Sequence, residues 1–292
     1  MSRRTDNHHR VATICREATG LPHHVCLRWV AEGVITRRQP VPDAAGNQAL
    51  QRTTEALIVE ELCRGLREED QRDGALLGFT HARPGPDGLL LGLHPAMADR
   101  VLALVLPRLD ELYGGLRGVP GLRLVPQGGE WILTQVRGHA VIRLVHPDPV
   151  WRPRLPEHAP GLTQLWRRGR RRPHPAEAAE LERVRQGGAQ DWLNSRVLRR
   201  PRLLAAAGAA HGTANVYTHG GGDVVVEWCC AIEPAELEER LRRSGLAVRP
   251  PDVEEDPRDR ARPPGVIAMG GARVSVRQAP CYAEIVTDGP VD

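Results

Sequence analysis

Residues 75–96, ALLGFTHARPGPDGLLLGLHPA, contain the pattern from which the fold class is predicted. Two apolar runs, at 75–81 and 89–94, flank the segment RPGPDG. Apolar runs separated by Pro, Gly and Asp predict two antiparallel strands joined by a turn. Pro95-Ala96 then open a stretch with apolar residues at helical spacing up to position 113, and Pro107 is expected to kink or break that helix.

A second stretch, residues 214–235 with the sequence ANVYTHGGGDVVVEWCCAIEPA, repeats this order of elements. Its tripeptide Tyr217-Thr218-His219 parallels Phe79-Thr80-His81, and the step from His to the next Pro-Ala is 15 residues here and 14 in the first copy. We therefore expect the two tripeptides at equivalent places, with Phe79 and Tyr217 buried. More strands are predicted after each helix, at 122–126, 131–136 and 140–145 in the first copy and at 246–248, 266–269, 272–277 and 282–287 in the second.

The N-terminal region has a different pattern, which predicts a helical hairpin over residues 8–35. Gly20 ends the first helix as a C-terminal capping glycine does, and Pro22 begins the second helix, where its missing N–H is tolerated. Gly33 ends the second helix, whose buried stripe is Val25, Cys26, Trp29 and Val30. The chain is thus predicted to be an α+β protein, in which an N-terminal helical hairpin precedes a duplicated helix-ββαβββ body.

These patterns divide the chain into four segments. They are a helix-turn-helix-like module at 1–40, a first α+β repeat at 48–146, a Pro- and Arg-rich connector with a helix at 147–192, and a second α+β repeat at 193–292. Residues 250–264, PPDVEEDPRDRARPP, are interpreted as a solvated linker within the second repeat because they have little to bury.

The spacing of Gly20, Trp29 and Gly33-Val34-Ile35 resembles the helix-turn-helix of MerR-like and excisionase-like regulators over residues 11–35. The resemblance implies DNA binding, with the second helix in the major groove. His23, His24 and Arg28 are expected to lie outward on that helix. Arg37 and Arg38 follow it and are assigned to the phosphate backbone. After Ile35 the sequence departs from the family, since RRQPVPDAAGN at 37–47 lacks a basic, aromatic wing. The alternative is a hairpin that only packs on the next domain.

A run of arginines, RRGRRR at 167–172, lies in the connector beside Trp166. Arg170, Arg171 and Arg172 are candidate phosphate contacts, and the run is continued by Arg199, Arg200 and Arg202. The alternative is a solvated linker enriched in Arg by codon usage. All 40 basic residues are Arg, and a net charge of +4 on 292 residues does not by itself require a nucleic-acid partner.

Enzyme signatures are missing from the sequence. It has no Walker A, G-x-G-x-x-G, G-x-S-x-G, C-x-x-C or zinc-protease motif, so we predict no catalytic residue, no metal site and no cofactor. Cys15, Cys26 and Cys63 occupy apolar helix positions as small buried groups. One nuclease layout is kept open: a helix ending in Asp73-Gly74 and followed by ββαββ resembles LAGLIDADG homing nucleases, although the second copy has His211-Gly212 at the matching place.

Three functions follow from these patterns. The first is a DNA-associated bacterial protein, the second is a non-catalytic interaction or scaffold protein, and the third is a metal-dependent nuclease. No apolar run approaches the roughly 18 residues of a membrane span, and MSRRTDNHHR lacks the apolar core of a secretion signal. We therefore expect a cytoplasmic protein with DNA or protein partners and no membrane partner.

Overall fold

The computed structural model of the chain describes residues 3–66, 75, 77–112, 114–155, 161–167, 172–184, 188–205, 214–219, 223–228, 232–250, 253–256 and 265–278. The helices are α1 (Arg3–Thr19), α2 (His23–Ala31), α3 (Ala49–Gly65), α4 (Ala98–Val105), α5 (Pro175–Arg183), α6 (Ala189–Leu198), α7 (Pro201–Ala205) and α8 (Pro234–Arg243). The strands are β1 (Phe79–Gly85), β2 (Gly88–Leu93), β3 (Arg108–Asp110), β4 (Gly115–Arg117), β5 (Leu122–Gln127), β6 (Glu130–Gln135), β7 (Val141–Val145), β8 (Leu162–Gln164), β9 (Ala214–His219), β10 (Asp223–Trp228), β11 (Val266–Met269) and β12 (Ala272–Gln278). The fold is α+β, as the sequence predicts. No helix in these ranges is long and apolar enough to cross a membrane.

The N-terminal helices α1 and α2 form the expected hairpin. Its small core is separate from the main one and consists of Val11, Ala12, Cys15, Leu21, Cys26, Trp29 and Ile35. Gly20 turns the chain between the helices with a φ of +77°, and a Cβ there would lie 2.9 Å from the carbonyl oxygen of Thr80. A glycine is therefore required both for the turn and for the close approach to β1. Helix α1 also packs against α7, which seats the hairpin on the body.

The larger sheet has the strand order β1-β2-β7-β6-β5. Neighbouring strands are antiparallel except for β2 and β7, which are parallel. Side chains alternate between the two faces of a strand, and those on one face of this sheet join helix α4 in the main core. The sheet contributes Leu91, Leu133 and Leu144 to that core, and α4 contributes Val101 and Val105.

The smaller sheet has the order β11-β12-β10-β9, with β10 and β12 parallel. Both sheets are therefore built from two hairpins with a helix between them along the chain: β1-β2 and β6-β7 with α4, and β9-β10 and β11-β12 with α8. In each sheet the last strand, β7 or β12, pairs in parallel with the second strand, β2 or β10. The larger sheet adds β5 at one edge. Helices α3 and α6, which precede the two sheets along the chain, pack directly against each other.

The tripeptides that suggested a repeat do not occupy equivalent places. Phe79-Thr80-His81 begins β1, where His81 pairs with Gly92, whereas His219 ends β9 and pairs with Asp223 beside the turn. Phe79 is buried, as expected, but Tyr217 is only half-buried. The expected alignment of the tripeptides is therefore wrong. The strand order that the two sheets share is observed in the structure and does not depend on that alignment.

Other sequence expectations fail at particular residues. Helix α4 ends at Val105 because Pro107 disfavours a helical conformation at Leu106, which is extended. The following residues form β3, which pairs with β4 and β8. The strand expected at 246–248 is a turn and irregular backbone. Val253, within the linker expected at 250–264, is buried in the main core, so this stretch is not wholly solvated. Residues 251–252 and 257–264 lie outside the described residues. The strand expected at 282–287 also lies outside them.

A buried ion pair joins α3 to α6. Glu55 and Arg199 have no exposed side-chain surface, and the Arg199 Nε and Nη2 atoms donate to the two Glu55 carboxylate oxygens, both at 2.7 Å. Ser195 also donates to this carboxylate at 2.6 Å. Arg199 and its neighbour Arg200 are therefore not available to phosphates, and the idea that they continue a DNA-binding run is wrong.

Candidate nucleic-acid interface

Helix α2 has one buried face and one open face. Cys26 and Trp29 are buried against α1, while His24 and Arg28 are exposed. His24 and Arg28 are four residues apart, so they lie one turn apart on the same side of the helix. Helix α2 therefore has a packed inner stripe and presents His24 and Arg28 on its outer surface.

Arg28 has only one weak partner in the described structure. Its Nε lies 3.9 Å from Glu32 Oε1, and the two side chains are 58% and 54% exposed. An exposed pair of this kind contributes between zero and about 1 kcal/mol. The guanidinium can therefore leave Glu32 for a base edge or a phosphate with little loss of folding energy.

His23 is placed differently from the other two candidates. It is half-buried, and its ring stacks on that of His9 at a centroid distance of 5.7 Å, with 3.4 Å between His9 Nδ1 and His23 Nε2. His23 therefore also joins the start of α2 to α1.

The core of the hairpin contains two thiols. Cys15 and Cys26 are fully buried, and a hydrogen bond from the Cys15 thiol to Cys26, together with burial, raises the pKa of Cys15 above its ordinary value. The thiol of Cys15 therefore stays protonated in the physiological range. Cys15, Cys26 and Cys63 are free and buried, which confirms the expectation that they act as small core groups.

Arg37 and Arg38 follow the hairpin in an irregular segment and are exposed. Residues 32–48 contain no strand, so the hairpin has no β-wing, in agreement with the missing wing pattern in the sequence. Arg38 lines a cavity of about 670 Å³ together with Asp43, Trp192, Arg196 and Arg249. Asp43 is already neutralised there, because Arg196 donates to its Oδ2 at 2.7 Å.

The two ends of the arginine run, Arg167 and Arg172, lie on the body and not on the hairpin. Arg167 ends a short 3-10 turn after β8, and Arg172 comes just before α5; both are exposed. Arg170 and Arg171 lie outside the described residues. The guanidinium carbon of Arg167 lies 5.0 Å from the centroid of the Trp166 ring, which is a cation–π distance.

Sequence reasoning missed two arginines that the fold brings to the same cleft as Arg167, namely Arg152 and Arg154. A cleft of about 430 Å³, here named the Arg–Trp cleft, is lined by Leu124, Trp131, Arg152, Pro153, Arg154, Leu155, Trp166 and Arg167. The available signal was the alternation of Trp and Arg in WRPR at 151–154 and LWRR at 165–168. The cleft was not predicted because residues 147–192 were interpreted as a connector. Only the folded chain brings β6 next to these two segments.

No metal site is visible in the parts of the chain that the structure describes, where no group of three or more His, Cys, Asp or Glu residues could hold an ion. Asp73 and His211, the positions that matter for the nuclease layout, lie outside those parts. Comparison with known proteins adds no identity: no family model matches the chain, and no curated protein or solved structure matches it.

Proposed function

We propose that this chain is a cytoplasmic bacterial DNA-associated protein, regulatory or accessory, that binds duplex DNA through the hairpin of α1 and α2. The observation that carries the proposal is the placement of His24 and Arg28 on the open face of a helix whose other face is locked by Trp29. In the proposed complex α2 enters the major groove, where Arg28 donates to a guanine edge and His24 contacts a neighbouring base.

The remaining basic candidates have a positioning role in this proposal. Arg37 and Arg38 contact phosphates next to the base-reading helix, and Arg170, Arg171 and Arg172 contact phosphates farther along the duplex. His23 keeps α2 in place by stacking on His9. Phosphate contacts contribute affinity for any sequence, so selectivity rests on His24 and Arg28.

The deciding experiment selects preferred sites from a pool of random duplexes with the full chain. We expect enrichment of a short site, and we expect Arg28→Ala to abolish that enrichment while Arg83→Ala preserves it. Arg83 is a matched control because it is an exposed arginine on β1, outside the hairpin. If neither variant differs from the parent, the hairpin is a packing or protein-binding element, and the interaction-protein alternative takes its place.

A metal-dependent nuclease is the second candidate, and one observation favours it. The two sheets share a strand order, and the helices that precede them pack together, which supports a duplicated ββαββ unit. The test is cleavage of supercoiled plasmid with Mg²⁺ or Mn²⁺ by the parent and by Asp73→Ala. Cleavage that Asp73→Ala removes would favour the nuclease, and no cleavage would leave DNA binding alone.

A further inference from the structure

We infer that the Arg–Trp cleft is a second nucleic-acid site, which binds single-stranded nucleic acid by stacking an unpaired base on tryptophan and pairing phosphates with arginine. The inference rests on the proposed DNA-associated function and adds a second ligand form to it. Trp131 and Trp166 are half-buried, and Arg152, Arg154 and Arg167 are exposed at the same cleft. None of the described residues that line it carries a carboxylate.

The two tryptophans are the reason for assigning an unpaired strand. Both rings pack on the main core with part of their surface and leave the rest accessible. Inside a duplex the faces of the bases are covered by neighbouring bases, so a protein indole can stack only on a base that is unpaired or at an end. Arg167 lies over Trp166 at the exposed side of the cleft, so a base that stacks on that face displaces its guanidinium toward the flanking phosphate.

The walls of the cleft are fixed before any ligand arrives. The backbone N–H of Arg154 donates to Asp99 Oδ1 at 2.9 Å, which ties this wall to α4. The N–H groups of Leu165 and Trp166 donate to the carbonyl of Pro107 at 3.0 and 3.3 Å. Strand β6 holds Trp131 between Pro126 on β5 and Leu144 on β7. Such a site loses little conformational entropy when it binds.

The size of the cleft sets the part of the strand that enters it. A volume of about 430 Å³ lies in the range of sites for small organic ligands, so it accepts a nucleotide-sized group and not a duplex. The flanking phosphates then lie over Arg152 and Arg154, which are exposed at its edge.

The test measures binding of fluorescein-labelled (dT)10 to the full chain by anisotropy across a salt series. Arg152→Gln/Arg154→Gln should weaken binding and reduce the slope of log K against log salt by about 1.4, because each contact to a single strand contributes about 0.7. Arg83→Gln/Arg143→Gln is the matched control. Both arginines are exposed, so this variant removes the same charge, and both lie in one cross-strand row. That row includes Ile132, which follows Trp131 in β6, so it lies on the opposite face of the sheet from Trp131.

The stacking step has its own variants. Trp166→Ala should weaken (dT)10 binding about 5- to 150-fold, the loss expected for one stacked base. Trp166→Phe keeps an aromatic face and should stay within about threefold of the parent. If Trp166→Ala does not fold, the two exposed arginines still decide the question.

Three results would overturn the inference: no binding of (dT)10 or (rU)10, an arginine double variant no weaker than its control, or equal binding of poly-glutamate, which would make the cleft a general anion site. Binding of either oligonucleotide supports it, and the tighter one identifies DNA or RNA as the ligand. Arg28→Ala separates this inference from the proposed function. It should weaken duplex binding and leave (dT)10 binding unchanged, so each site can fail without the other.

Discussion

At the scale of single residues, neighbouring positions on one helix have opposite roles. Arg28 is exposed with one weak partner, whereas Trp29 beside it is buried in the hairpin core. Ligand contact and stability can therefore be tested separately in this hairpin, because Arg28 can be changed without disturbing Trp29.

The first prediction concerns Arg28. Arg28→Ala should weaken binding to the preferred duplex by about 1–3 kcal/mol and relax base selectivity at one position, because a bidentate contact to guanine is lost. Competition binding against duplexes with single base changes measures this. Equal loss on every duplex would mean that Arg28 contacts a phosphate, which contradicts its assignment to a base.

Glu177 gives a second prediction, which concerns pH. Burial raises the pKa of this carboxyl, but hydrogen bonds from Arg123 and from the N–H groups of His174 and Gly121 outweigh burial and hold it below the ordinary value of 4.5. The carboxylate therefore contributes stability above pH 4.5, and this contribution is lost as the pH falls through the lower pKa of the folded state.

Urea unfolding of the parent and of Glu177→Gln between pH 7 and pH 3 checks the prediction. The variant should be less stable at pH 7 and should lose less stability than the parent on acidification. A parallel decline in both proteins would show that Glu177 has the same pKa in the folded and unfolded states.

At the scale of elements, the hairpin is a unit with a core of its own. Trp29→Ala should cost about 3–5 kcal/mol by removing a buried aromatic ring, and the loss should be confined to α1 and α2. Hydrogen exchange should show faster amide exchange in these helices and unchanged protection in the two sheets. Duplex binding should disappear with the hairpin, and faster exchange throughout the body would instead show that the hairpin is needed for the whole fold.

The joint between α3 and α6 leads to a prediction about the body. Arg199→Met should destabilise the chain by about 3–5 kcal/mol, because it leaves the buried carboxylate of Glu55 without its cation. Glu55→Met/Arg199→Met removes both charges and should recover most of that loss. Chemical denaturation of the two variants measures the difference, and an equally unstable double variant would refute the explanation.

Local patterns predicted most of the longer elements, but not the short strands β3, β4 and β8 and not the long-range pairs. Gly20, Pro22 and Trp29 fix the hairpin because its caps and periodicity lie within a few residues. The burial of Arg199 could not be predicted, since its partner Glu55 is 144 residues away and arginine is abundant throughout the chain. The Arg–Trp cleft was missed for the same reason: Trp131 and Trp166 meet only after the strands have paired.

At the scale of the whole molecule, the arginine run tests how much of the surface takes part in duplex binding. Replacing Arg170, Arg171 and Arg172 with Gln should weaken binding to all duplexes alike and reduce the salt slope by about 2.7, at about 0.9 per lost contact. Affinity measured from low to high salt on a preferred and an unrelated duplex gives both values. An unchanged slope would mean that the run does not contact phosphates and is a solvated linker.

The ion pair between α3 and α6 also has a consequence for synthesis on the ribosome. The chain emerges from its N-terminus, so Glu55 leaves the ribosome long before Arg199, which lies 144 residues later. During that interval the first sheet can form, but the Glu55 carboxylate has no cation. The packing of α3 against α6, and with it the pairing of Glu55, therefore follows the synthesis of α6, so the last part of this joint to be translated completes it.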